Sequence, residues 1–200
     1  MIPKIEFRHS RIYDEMIFWQ NKEIKEFLKK QKKEYPSQRD IYRYIEKIKI
    51  LWKKVGKKIL RNIRSVTGLK WKEKKIIVYI VGYCRPFSDP LTIKPYKDKN
   101  YFIDVLTHEL IHQIQSQNNK NWNRWFKHLS EKYPEESRTT RRHILLNSVH
   151  WILITKMWNK SHLNKIIKKH SKDKDYERAW EIVKMETPEK MINEFREITK

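Results

Sequence analysis

Two hundred residues, with eight Trp, ten Tyr and seven Phe among them, are enough for a folded domain with a real apolar core. Lys and Arg number 46 against 24 Asp and Glu, a net charge of +22, and such a field attracts polyanions. The single cysteine, Cys84, excludes an intrachain disulfide and a Cys-x-x-Cys zinc ribbon, and no apolar run reaches the roughly 18 residues of a membrane span.

The first nine residues hold no apolar core of signal-peptide length, so an intracellular, cytoplasmic chain with no membrane partner is expected. From 10 to 33, Ile12, Met16, Trp19, Ile24, Phe27 and Leu28 recur at helical spacing. Tyr35-Pro36-Ser37 breaks that pattern, and Ser37 or Asp40 can cap a second helix running to about 66. Its apolar side includes Ile41, Tyr44, Ile45, Ile48, Trp52 and Ile59. Its polar side carries Lys47, Lys49, Lys53, Lys54, Lys57, Lys58, Arg61 and Arg64, the densest basic stripe in the chain. Residues 1–68 therefore read as a basic N-terminal helical region. Lys53, Lys54, Lys57, Lys58 and Arg61 are the candidate contacts to a nucleic-acid backbone. A compositional origin competes, because Ala occurs once while Lys, Ile and Asn abound, as an AT-rich genome would encode.

After residue 72 the period changes. The β-branched run 75–82 predicts a strand ended by Gly82, residues 85–90 read as loop, and 91–94 as a second short strand. A helix over 98–117 follows, carrying His108-Glu109-Leu-Ile-His112. Four residues apart on one helix face, the two imidazoles can share one tetrahedral Zn²⁺. Glu109, about 100° round the helix, can reach a metal-activated water as general base. Leu106, Leu110, Ile111 and Ile114 place this helix in a packed setting.

Catalytic zinc takes a third protein ligand. Residues farther on that could supply it are His128, Glu131, Glu135, Glu136, His143 and His150. The first four lie in a polar stretch that reads as a helix end and loop around Tyr133-Pro134. The last two lie on a strong helix over 137–159, where His143, Asn147 and His150 form one polar stripe on an apolar surface. Three more helices, over 161–170, 173–185 and 189–199, complete the chain, with Pro188 at the first position of the last.

A small sheet leading into a His-Glu-x-x-His helix resembles the zincin metallopeptidases. The segment from His143 to His150 resembles the second active-site helix of small phage- and archaea-type metallopeptidases. SprT-like proteases resemble the chain more distantly, in size and in the run from His108 to His112. The third-ligand pattern of metzincins is not met: six residues past His112 stands Asn118, and Gln115 stands where they have Gly. The resemblance implies a mainly helical α+β, zincin-like domain over 69–200, joined to the N-terminal helical extension as one compact unit. It implies His150 as third zinc ligand, with His143 and Asn147 behind it or, for His143, as the alternative ligand. It also implies that Leu91, Thr92 and Ile93 form an edge strand for a protein or peptide substrate. The expected function is zinc-dependent peptide hydrolysis. The alternative is a nucleic-acid-binding protein on the same scaffold, idle or acting on a non-peptide substrate.

Overall fold

The chain enters its fold as a strand. In a computed structural model describing all residues from Met1 to Lys200, β1 (Lys4–Arg8) pairs in parallel with β2 (Lys75–Ile80), from Lys4 opposite Lys75 to Arg8 opposite Tyr79. Phe7 turns into the core. Five residues with three charges among them give little sequence signal. The partner that stabilises them is some seventy residues away.

The helix expected over 10–33 is two helices, α1 (Arg11–Gln20) and α2 (Lys22–Lys30). Asn21 divides them: its backbone is extended, and its side chain accepts the Ile24 N–H at 3.1 Å as the cap of α2. The long helix α3 (Gln38–Thr67) starts as anticipated, with Ser37 Oγ accepting the Asp40 N–H at 3.2 Å. It stops at Gly68, whose φ of +73° is the left-handed conformation in which glycine has no Cβ penalty.

Two short strands follow, β3 (Phe87–Ser88) and β4 (Leu91–Ile93), and the sheet order is β1-β2-β4-β3. β4 is parallel to β2 through Tyr79–Thr92 and Ile80–Ile93, and antiparallel to β3 through Phe87–Thr92 and Ser88–Leu91. Leu91, Thr92 and Ile93 therefore do not form the open edge expected of them. β3, in a stretch read as loop, covers that side, and all three residues are buried. The edges of the sheet are β1 and β3.

The remainder is helical: α4 (Lys99–Ser116), α5 (Asn119–Lys132), α6 (Arg138–Met157), α7 (Lys160–His170), α8 (Lys174–Glu186) and α9 (Pro188–Ile198). In all, 68% of residues are helical, so the chain is a mainly helical α+β protein. No helix is long and apolar enough to cross a membrane. α5 occupies part of the stretch taken as helix end and loop. Its Trp122, Trp125, Phe126 and Leu129 stand at helical spacing, with Trp125 and Leu129 buried.

The chain divides into two compact units, and the division does not fall at 68/69. The first comprises Met1–Lys58 and Glu73–Leu110, because β1 is hydrogen-bonded into the sheet rather than standing in a separate arm. Within it Phe102 of α4 packs against Phe7 of β1 (6.4 Å between ring centroids) and edge-on to Tyr44 of α3 (5.6 Å). The second comprises Ile59–Lys72 and Ile111–Lys200. There α6 is the central helix, contacted by α5, α7, α8 and α9, and its residues from His143 to His150 are all buried. α3 and α4 are each continuous helices, contributing one part to each unit.

Candidate metal centre

Asp98 fixes the start of α4, its carboxylate accepting the N–H groups of Asn100 (2.9 Å) and Tyr101 (3.3 Å). From Phe102 to Ile111 every residue is buried, the pattern of a helix covered on all sides. His108 and Glu109 are therefore held at low dielectric, each 6% exposed. One turn further along, His112 lies edge-on to His143 of α6, ring centroids 5.3 Å apart at 89°. One ligand atom from each of His108, His112 and His143 falls within 4.8 Å of the other two.

A tetrahedral zinc with Zn–N bonds of 2.0–2.1 Å needs nitrogens roughly 3.3 Å apart. A closing movement of about 1.5 Å would bring this trio around one ion. The donor set, three imidazoles, fits a divalent ion of the kind that takes imidazole nitrogen, Zn²⁺ among them. His143 Nδ1 lies 2.7 Å from the Thr139 carbonyl oxygen. A carbonyl only accepts, so Nδ1 carries a proton, and Nε2 is the nitrogen that a metal would take. Burial, then the charges of His143 and Arg142, push the His112 pKa down to about 3. It is a neutral imidazole at any ordinary pH, with no proton to displace. One turn on from His143, the fully buried Asn147 amide has no hydrogen-bond partner at either Nδ2 or Oδ1. An unanswered amide of that kind fits a polar guest beside it.

Glu109 does not belong to the trio of ligand atoms. Burial raises its carboxyl to about 8. Cys84 and Tyr96 are near enough to feel its charge.

The other candidates stand elsewhere. His150 is on the same stripe as His143 but two turns along α6, about 10 Å further on, and its ring faces His170 at 6.4 Å between centroids. The third histidine of the group is thus His143, the alternative, and not His150. Burial, then His170 and His162, drive the His150 pKa down to about 3. It is a neutral core histidine. His128 pairs with Glu194 at 2.6 Å, Glu131 with Lys127 at 4.0 Å, and Glu136 with Arg178 at 2.8 Å, while Glu135 is exposed. Lys53, Lys54, Lys57, Lys58 and Arg61 are all exposed on α3.

Two neighbours of the centre escaped the sequence reading. The Tyr176 ring lies on His143, centroids 4.2 Å apart, and His170 lies 6.0 Å beyond it. Tyr176 opens α8 in a run of charged residues, where a polar helix start looks like surface. No protein-family model, no curated protein and no solved structure matches this chain.

Proposed function

We propose that this chain is a zinc-dependent peptidase in which His108, His112 and His143 hold the ion and Glu109 is the general base. The observation that carries the reading is the convergence of three imidazoles within 4.8 Å, with a buried carboxyl adjoining the first in sequence. Zinc bound there would supply Lewis acidity and lower the pKa of a coordinated water. The protein's own groups do the rest. Burial keeps His112 a neutral imidazole, and the Thr139 carbonyl holds His143 through Nδ1, leaving Nε2 as its ligand atom. The Glu109 carboxylate takes a proton from the attacking water and delivers it to the amide nitrogen as the C–N bond breaks, leaving acid and amine. Burial raises this carboxyl in the metal-free protein, and a divalent cation beside it would draw it back toward the working range of a general base.

The test is hydrolysis of a denatured protein such as casein by zinc-loaded protein, with and without chelator. Turnover abolished by chelator and restored by zinc, and lost in Glu109→Gln with zinc content unchanged, is the expected result. Equal turnover by Glu109→Gln would contradict it.

A further inference from the structure

α3 carries a second feature, independent of the histidine cluster. From Lys47 to Thr67 it has eight cations and no acidic residue. All eight are exposed, and only Lys49 is engaged by an acid, Glu46 at 2.7 Å. Acids on the C-terminal helices, by contrast, engage the cations beside them: Glu186 holds Lys132 and Lys190, Glu194 holds Lys132, and Glu136 and Glu181 hold Arg178. Lys49, Lys53, Lys57 and Arg61 follow one another at four-residue steps, a row of charges about 6 Å apart along the helix.

The same face begins with an aromatic ring. Tyr42 is 49% exposed and lies within about 20° of Lys53 around the helix. Its ring is held edge-on by His9, centroids 5.4 Å apart at 88°. It forms one wall of a recess of about 490 Å³, whose other residues are Gln38, Arg39, Arg43 and Glu46. A held, half-exposed aromatic beside guanidinium groups, continuing into a row of lysines, suits bases that stack and phosphates that run on.

We infer that α3 binds single-stranded nucleic acid, one base stacking on Tyr42 and the backbone following Lys49, Lys53, Lys57 and Arg61. A lipid surface fits less well, since Ile50 is the only exposed aliphatic residue amid these lysines. A second copy of the chain fits worse, because each carries +22.

The experiment is fluorescence anisotropy of a labelled 20-nucleotide oligo-dT, and of a duplex of equal length, over a range of salt with chelator present throughout. The proteins are wild type, Tyr42→Ala and the triple variant Lys53→Glu/Lys57→Glu/Arg61→Glu. These side chains are exposed, so thermal unfolding should match wild type and confirm folded variants. Wild-type affinity should fall with salt at a log–log slope of about −0.7 per phosphate neutralised. The triple variant should lose at least about tenfold at low salt, and Tyr42→Ala about tenfold on the single strand but little on the duplex. Three results would each overturn the inference: no binding at low salt, affinity unchanged in the triple variant, or displacement by polyglutamate as effective as by unlabelled oligo-dT. The last would mark the face as a surface for acidic protein.

Discussion

Glu109 shows how one residue's setting decides what it can do. A carboxyl in water ionises near 4.5, whereas burial on α4 carries this one to about 8. Its contribution to stability in the metal-free protein has a definite sign. With the folded pKa above the unfolded one, that contribution is complete below about pH 4.5 and is lost as the pH rises through 8. Denaturant midpoints of metal-free wild type should thus fall over that window. In Glu109→Gln, which cannot ionise, this component of the decline should vanish. The same substitution in the zinc-loaded protein should lower kcat by about 10²- to 10⁴-fold, the usual worth of a general base, at unchanged zinc content. A matched pH dependence in the two metal-free proteins would mean that Glu109 is already ionised and solvated.

At the scale of the element, the centre is two helices and what anchors them. Phe102, fully buried, ties α4 to β1 and α3 six residues before His108. Phe102→Ala should destabilise the fold by about 3–5 kcal/mol, seen as a lower denaturant midpoint. Gly68→Ala, forcing an L side chain to φ +73°, should lose about 1 kcal/mol by the same assay. The sequence made α4 legible because His108 and His112 carry their relation within one helix, where a four-residue step fixes it. It also marked the polar stripe of α6 correctly. Which end of that stripe turns to His112 is tertiary, and two turns of helix separate His143 from His150. The resemblance chose the second and the fold places the first beside His112. β1 and β3 escaped for a related reason, since strands of five and two residues owe their existence to partners far away in sequence. Asn21 and the aromatic spacing of α5 were readable signals that length and polarity outweighed.

At the scale of the molecule, buried imidazoles dominate the response to acid. His112 and His150 are depressed to about 3 and His170 to about 4, each chiefly by burial. With folded pKa values below the ordinary 6.5, their contribution is complete above pH 6.5 and is lost as the pH falls toward 4 and below. Metal-free protein should therefore unfold cooperatively in that acid window, as far-UV circular dichroism against pH would register. Retention of full helicity at pH 3 would contradict so complete a burial. Zinc binds only to deprotonated, gathered ligands, so it should raise the thermal midpoint, increasingly with free zinc, and chelator should reverse the rise.

Zinc per chain measures directly which histidine completes the centre. Elemental analysis of untagged, zinc-reconstituted wild type, His143→Ala and His150→Ala should give about one, well below one, and about one. Circular dichroism would verify that both variants are folded. Zinc retained by His143→Ala and lost by His150→Ala would contradict the account, as would a folded wild type that takes up no zinc.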